Sequence, residues 1–156
     1  MYKRQNLTCV SPDAGGIERT RGLAKKINAE LAIIDKRRPQ AGKSQVMNII
    51  GDIKNKNCII VDDIIDSGGT IVNAVEALIK KGAKDVHVVV THAVLSGDAV
   101  NKIKKSKIKK LIITDTIDNS RRIKNVSKIQ VLSIAPLMAE AIKRISNSTS
   151  VSDLFN

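Results

Sequence analysis

The sequence predicts an α/β fold in which helices cover both faces of a doubly wound, mainly parallel sheet. Short runs of almost uninterrupted apolar residues alternate with segments that have helical apolar spacing. Continuous apolar runs are typical of parallel strands that are buried on both faces. The chain has 156 residues, of which 42% are hydrophobic and 27% charged, and neither an internal repeat nor a linker is evident. We therefore expect one domain over residues 1–156.

Apolar runs are predicted to form the strands, at residues 7–10, 31–34, 46–50, 58–61, 86–91, 111–114 and 129–134. The run at 58–61, Cys-Ile-Ile-Val, is the clearest buried strand. The run at 46–50 has two interpretations, a strand or a helical turn. The segment 37–44 before it is polar and contains Pro39 and Gly42, which favour a loop.

Helices are predicted between these strands and after the last one, at residues 17–28, 70–81, 96–105 and 136–145. Apolar residues recur at helical spacing in the first of them, at Ile17, Leu23 and Ile27. Gly82 follows the second helix and favours its termination, and Pro136 is suited to the first turn of the last. Strands that alternate with helices in this way predict crossover connections between parallel strands.

The chain is strongly basic, with 27 Lys and Arg residues against 15 Asp and Glu residues and a net charge of +12. Nucleic-acid binding is one interpretation of this excess, and a phosphorylated small-molecule ligand is another. Tyr2 and Phe155 are the sole aromatic residues, too few for a stacking surface that binds single strands. The lysine-rich segment 102–110 is interpreted as a solvated helix face and turn. We predict no nucleic-acid partner.

The sequence also disfavours membrane and metal-centre classes. No apolar run approaches the roughly 20 residues of a transmembrane helix, and the polar start of the chain does not resemble a signal peptide. We expect a cytoplasmic protein without membrane contact. Cys9 and Cys58 lie in apolar runs and lack a C-x-x-C spacing, which predicts reduced core residues. Two histidines without a ligand cluster do not suit a zinc site.

The strongest functional signal is the segment 58–70, whose sequence is CIIVDDIIDSGGT. A buried strand leads to Asp62 and Asp63, then to a loop with two adjacent glycines, and then to a helix. In open α/β sheets, ligands bind beyond the carboxyl ends of the strands. Gly68 and Gly69 allow the backbone to approach a ligand and to turn its N–H groups inward.

This arrangement predicts a phosphate-binding loop at the start of the helix. The helix N-terminus adds partial positive charge, and Ser67 and Thr70 add hydroxyl groups. Asp62 and Asp63 would then suit the hydroxyl groups of a sugar or a hydrated Mg²⁺ ion. The alternative is that Asp66 and Ser67 only cap the helix. That alternative does not explain two acids at the end of a buried strand, where desolvation of charge is unfavourable.

The segment resembles the phosphoribosyl-diphosphate-binding loop of the type I phosphoribosyltransferase fold. Further segments resemble the ribose-phosphate pyrophosphokinases in particular: VSPDAGG at 10–16, IIDKRRP at 33–39, THAVLSG at 91–97, TDTI at 114–117, and the ending from 127 to 155. The resemblance covers nearly the whole chain, but only the C-terminal half of that family's two-domain protein. It implies a phosphoribosyltransferase-like domain without the N-terminal domain, which supplies most of the ATP site and a metal-binding histidine in the family.

The resemblance also implies roles for individual residues. Residues 66–70 would hold the 5-phosphate of ribose 5-phosphate, and the two acids before them the ribose hydroxyls. Asp13 matches a Mg²⁺ ligand, although by its position it could equally cap the helix that follows. Lys36 and Arg38 match a pair of cations that stabilise the diphosphoryl group during transfer, and Arg38 is also expected to contact substrate. Two cations on a mobile loop suit this role, because charge grows on the transferring oxygens.

Ser150 and Ser152 match residues that help to bind a regulatory phosphate or ADP across subunits, and a polar tail is the alternative for both. The implied partners are ribose 5-phosphate, ATP, Mg²⁺, further copies of the chain, and a separate N-terminal half. The segment Gly42-Lys43-Ser44 imitates the end of a Walker A loop, but Arg37 stands where that motif requires its first glycine.

Two other functions stay open at this point. A stand-alone phosphoribosyltransferase would need a surface for a nucleobase, usually with an aromatic residue, and the composition disfavours it. A half-length chain could instead be a phosphoribosyl-binding fragment or a regulatory subunit that lacks catalysis.

Overall fold

The computed structural model describes residues 6–37 and 46–155, and its centre is one sheet with the strand order β3-β2-β1-β4-β5-β6-β7. The strands are β1 (Leu7–Ser11), β2 (Glu30–Arg37), β3 (Val46–Ile50), β4 (Asn57–Ile65), β5 (Asp85–Ala93), β6 (Lys110–Thr114) and β7 (Ile129–Leu132). Every neighbouring pair is parallel except β2 and β3, which are antiparallel. The predicted α/β fold with a mainly parallel sheet is confirmed.

The helices in the described residues are α1 (Ile17–Ile27), α2 (Gly69–Lys80), α3 (Ala99–Lys105), α4 (Ser120–Ile123) and α5 (Ala135–Ser146), with a short 3₁₀ helix at Ser152–Leu154. The connection through α1 moves from β1 towards the β3 edge, whereas the connection through α2 moves from β4 towards the β7 edge. Because crossovers between parallel strands are right-handed, these opposite directions place α1 and α2 on opposite faces of the sheet.

The predicted elements recur with some changed boundaries. The run at 46–50 is strand β3 and not a helical turn, and α3 begins at Ala99 and not at 96. Strand β4 continues to Ile65, so Asp62 and Asp63 lie within the strand and not after it. The extension is held by pairing with β5, in which Asp62 lies opposite Val90 and Ile64 opposite His92. The short α4 and the 3₁₀ helix were not predicted, because elements of three or four residues are too short for a periodic pattern.

The core lies mainly between the sheet and the helices on one of its faces. Alternate residues of β4, β5 and β6 are buried there against α2 and α3, namely Cys58, Ile60, Val86, Val88, Val90, Leu111, Ile113, Ile71, Ala74, Val75, Leu78, Ala99 and Ile103. The intervening strand residues, such as Ile59, Val61 and Val89, are only partly buried. Burial on both faces therefore holds for β1, whose residues 8–11 are all fully buried, whereas β4, β5 and β6 are fully buried on one face alone.

Both cysteines belong to the buried interior, as their apolar context predicts. Cys9 and Cys58 are fully buried and neither forms a disulfide. Burial raises the pKa of each thiol to about 11, so both remain protonated near neutral pH.

Helix α5 differs from the other long helices because none of its residues is buried. Its apolar side chains Leu137, Met138, Ile142 and Ile145 are 43%, 50%, 62% and 67% exposed. They recur at helical spacing and so form one apolar side of the helix. In contrast, α2 directs four fully or nearly fully buried residues at the sheet.

This contrast predicts different responses to the same substitution in the two helices. Leu78→Ala removes a fully buried side chain of α2 and is expected to lower the free energy of unfolding by about 2–5 kcal/mol. Leu137→Ala, on the exposed side of α5, is expected to lower it by less than about 1 kcal/mol. Urea unfolding of both variants followed by circular dichroism measures the difference. Equal losses would contradict the assignment of the core to the α2 face.

Candidate functional site

A cleft opens where the connections from β1 and β4 diverge. The two strands are parallel neighbours, with Val10 opposite Ile60, and their following helices leave towards opposite faces. Such a switch point leaves a crevice beyond the carboxyl ends of the strands, where α/β proteins bind their ligands. The cleft has a volume of about 350 Å³ and is lined by Asp13, Asp62, Asp63, Ile64, Ile65, Asp66, Ser67, Gly68, Thr70 and Ile71. Small-molecule sites commonly have volumes of roughly 300–1,000 Å³.

The cleft brings together most of the residues that the sequence singles out. Asp13 comes from the loop after β1, the two acids come from the end of β4, and residues 66–70 form the loop and first turn of α2. Gly69 begins α2 but does not itself line the cleft. The predicted convergence of acids and a glycine-containing loop at one edge of the sheet is therefore present in the fold.

The two adjacent glycines at the start of α2 occupy positions with different structural requirements. Gly68 is the residue before the helix and adopts a left-handed conformation, with φ of 76°, which disfavours any side chain. At Gly69, a Cβ atom would meet its nearest neighbour, the Oγ of Ser67, at 4.0 Å. The fold therefore requires glycine at 68, whereas the packing leaves room for a side chain at 69.

Within the described part of the chain, no side chain forms a capping hydrogen bond at the start of α2, which follows Gly68. The interpretation of Asp66 and Ser67 as nothing more than helix caps is therefore wrong for this structure. The first N–H groups of a helix have no partner within the helix, and here they lie at the edge of the cleft. Together with the hydroxyls of Ser67 and Thr70, they can bind an anion such as phosphate.

The loop is held in place from its outer side by the segment after β5. The backbone N–H groups of Val94 and Leu95 donate to the carbonyl of Ile65 at 3.0 and 3.2 Å, and that of Ser96 donates to the carbonyl of Asp66 at 3.2 Å. The Nζ of Lys102, on α3, lies 3.3 Å from the carbonyl of Ser67. Because the contacts use backbone carbonyls, they fix the loop and leave its hydroxyl groups for a ligand.

Asp62 and Asp63 share one cation, which the sequence analysis missed. The Nη1 of Arg19, in the first turn of α1, lies 3.0 Å from the Oδ1 of Asp62 and 2.9 Å from the Oδ1 of Asp63. Desolvation raises the pKa of Asp62 above its ordinary value, whereas the hydrogen bond from Arg19 lowers the pKa of Asp63. No local pattern marks Arg19, because its partner Asp62 lies 43 residues away in the chain and Asp63 is the next residue.

Asp13 closes the turn before α1, and its expected role as a Mg²⁺ ligand stays a prediction. Its Oδ1 accepts a hydrogen bond from the N–H of Gly16 at 3.0 Å, just before α1, while its side chain also lines the cleft. Among the residues that the structure describes, no group of three or more His, Cys, Asp or Glu side chains is arranged to hold a metal ion by itself. Mg²⁺ commonly uses one or two carboxylates together with substrate phosphates and water, a mode that the acids of this cleft fit.

Of the two cations expected to stabilise the diphosphoryl group, Lys36 and Arg38, the structure describes Lys36 alone. Lys36 is the penultimate residue of β2 and lies opposite Met47 of β3. Arg38 falls outside the described residues, as does most of the segment 37–44, whose predicted mobility stays a prediction. Strand β2 is parallel to β1, so its carboxyl end points to the same edge of the sheet as the cleft.

Ser150 and Ser152 form a different cluster near the end of the chain. Their Oγ atoms lie 2.8 Å apart, and the Oγ of Ser150 donates to the Oδ1 of Asp153 at 3.0 Å. The guanidinium of Arg144 donates to the carbonyl of Ser150 at 2.8 Å. None of these four residues lines the cleft, and a regulatory role for the two serines stays a prediction.

Two further expectations concern membrane-spanning helices and the lysine-rich segment 102–110. In the part of the chain that the structure describes, no helix combines the length and the apolar composition needed to span a bilayer. The lysine-rich segment 102–110 is mostly exposed, as expected for a solvated face, although Lys102 contacts the loop before α2.

Comparisons with known proteins identify the family. A family model described as "Phosphoribosyl synthetase-associated domain" matches residues 13–156. The chain is 51% identical over 155 residues to the ribose-phosphate pyrophosphokinase of Maricaulis maris (strain MCS10), covering 99% of this chain and 50% of the relative. It is 54% identical over 154 residues to that of Clostridium tetani (strain Massachusetts / E88), covering 99% of this chain and 48% of the relative.

A solved structure gives the same result for the fold. The crystal structure of phosphoribosylpyrophosphate synthetase from Mycobacterium smegmatis superimposes with a TM-score of 0.82 at 37% identity, covering 92% of this chain and 46% of that protein. The chain thus spans about half the length of the relatives that it matches. The matching family model, the sequence identity and the shared fold together show that the chain belongs to the ribose-phosphate pyrophosphokinase family.

Proposed function

We propose that the chain is the C-terminal, ribose 5-phosphate-binding half of a ribose-phosphate pyrophosphokinase. The proposal rests on the cleft, in which the N-terminus of α2 and a pair of carboxylates lie side by side. An anion site next to carboxylates, which accept hydrogen bonds from hydroxyl groups, matches the phosphate and the hydroxyls of a sugar phosphate. The reaction would transfer diphosphate from ATP to the 1-hydroxyl of ribose 5-phosphate and release AMP.

In this proposal, the loop and first turn of α2 bind the 5-phosphate through backbone N–H groups and the hydroxyls of Ser67 and Thr70. Asp62 and Asp63 accept hydrogen bonds from ribose hydroxyls, which orients the sugar. The reaction depends on placing the 1-hydroxyl in line with the β-phosphorus of ATP, so orientation supplies much of the rate.

Asp13 would help to hold Mg²⁺, which when bound would neutralise negative charge on the diphosphoryl oxygens. Lys36 and Arg38 would stabilise the charge that grows on these oxygens during transfer. The ATP site would come mostly from a second domain, because the chain spans about half the length of its relatives.

The proposed phosphate loop predicts that Gly69→Val impairs binding without unfolding the chain. A branched side chain at the helix start would keep the phosphate away from the backbone N–H groups, so the affinity for ribose 5-phosphate should fall by about tenfold or more. The open space at Gly69 predicts an unchanged melting temperature. Isothermal titration calorimetry and thermal unfolding measure the two quantities.

The matched control is Gly22→Val. Gly22 lies in α1, away from the cleft, and a Cβ atom there has no neighbour within 4 Å, so the affinity should equal that of the unmodified chain. Asp62→Ala should also weaken binding, because it removes a hydroxyl acceptor. Unchanged affinity in both Gly69→Val and Asp62→Ala would contradict the proposed site.

A second prediction separates binding from catalysis. The chain alone should bind ribose 5-phosphate but form no appreciable phosphoribosyl diphosphate from it with Mg·ATP. Because the proposal places most of the ATP site in a second domain, the chain alone would lack the positioning of ATP, which can supply roughly 7–11 kcal/mol of barrier reduction. An assay for AMP release tests this, with and without an added N-terminal half. Steady AMP production that requires ribose 5-phosphate and disappears in Lys36→Ala would show that the chain is active by itself.

A further inference from the structure

Arg19 joins the start of α1 to the end of β4 by a single nitrogen. Its Nη1 is within 3.0 Å of the Oδ1 of Asp62 and within 2.9 Å of the Oδ1 of Asp63. The backbone N–H of Asp63 also donates to the Oδ1 of Asp62, at 2.9 Å. The Oδ1 atom of each carboxylate is thus engaged within the protein.

The two carboxylates need this cation because they follow one another in the chain and meet at the same nitrogen. Without a counter-charge, two adjacent carboxylates repel each other and can turn about their side-chain bonds. The side chain of Asp62 is only 16% exposed, so water compensates its charge poorly. Of the side chains that the structure describes, that of Arg19 alone forms an ion pair with either acid.

Arg19 contacts the two acids without lining the cleft. Both carboxylates line the cleft, whereas Arg19 is not among its lining residues. A ligand would therefore contact the carboxylates, and the guanidinium would act through them. This geometry makes Arg19 a positioning residue and not a catalytic one.

We propose that Arg19 sets the preference of the cleft for ribose over 2-deoxyribose, an inference that rests on the proposed binding of ribose 5-phosphate. By holding the Oδ1 atoms, Arg19 fixes both carboxylates, so that each can accept from one of two adjacent sugar hydroxyls. A sugar that lacks the 2-hydroxyl leaves one oriented carboxylate without its partner. A site built to hydrogen-bond a hydroxyl rejects an analogue without it far more strongly than an apolar site rejects a smaller one.

The test compares three ligands by isothermal titration calorimetry of the whole 156-residue chain: ribose 5-phosphate, 2-deoxyribose 5-phosphate and inorganic phosphate. The unmodified chain should bind the ribose compound about tenfold or more tightly than the deoxy compound. In Arg19→Gln, this ratio should fall to about twofold or less, while the affinity for inorganic phosphate stays unchanged, because the phosphate loop is not in contact with Arg19. In Arg19→Lys, which retains the charge without the guanidinium, the ratio should be intermediate.

Arg21→Gln is the matched control, because Arg21 is an exposed residue of the same helix and the charge change is the same. It should preserve the ratio of the unmodified chain. A ratio unchanged in Arg19→Gln overturns the inference, and so does an equal loss for all three ligands, which would mark a merely structural role. If Arg19→Gln does not fold, Arg19→Lys decides: an intermediate ratio supports the inference and an unmodified ratio overturns it.

The failure of the proposed function gives a different result. If the unmodified chain binds neither sugar phosphate, the proposed function is wrong and the inference falls with it. If the unmodified chain binds and discriminates, and Arg19→Gln discriminates equally well, the inference alone is wrong.

Discussion

The parallel pairing of β1 with β4 is the constraint on which the site depends. Their register places Val10 opposite Ile60, so the loop after β1 and the end of β4 arrive at the same edge of the sheet. The helices that follow turn to opposite faces, because right-handed crossovers in opposite directions allow nothing else. The crevice between them follows from the sheet topology and does not depend on any particular side chain. Asp13 and the two acids of β4 meet there because of this pairing, although 48 residues separate Asp13 from Asp62 in the sequence.

The same pairing also supplies the counter-charge for the acids. Helix α1 begins directly after the loop that follows β1, so its first turn lies beside the end of β4 and presents Arg19 to Asp62 and Asp63. An acid pair at the end of a buried strand is unfavourable in isolation, and a single shared guanidinium relieves the repulsion. The loop before α2 is stabilised differently, through its carbonyl groups, by the segment after β5. Neither the ion pairs of Arg19 nor these backbone hydrogen bonds occupy the groups that would contact a ligand.

The two ends of the sheet differ in how completely they are packed. The middle strands and α2 bury their apolar residues within the chain itself. At the β7 edge, Leu132 is 59% exposed and α5 has no buried residue. Exposed apolar surface of this kind is uncommon on soluble monomers and marks contact surfaces in many proteins. The cleft lies away from this edge, at the carboxyl ends of the central strands β1 and β4.

Local pattern was sufficient for the strands, the long helices, the α/β class and the segment 58–70, because apolar periodicity and glycine placement are properties of short stretches of chain. The glycine-containing loop and the acids of β4 were identifiable for the same reason. Their resemblance to a known family added Asp13 and Lys36, which no local pattern singles out. The tertiary structure decided the features that join distant segments: the antiparallel β3, the partial cover of one sheet face, the exposed α5, and the contacts of Arg19 and Lys102. These depend on which strands become neighbours, and a pairing between segments that lie 43 residues apart leaves no periodic signal in either of them.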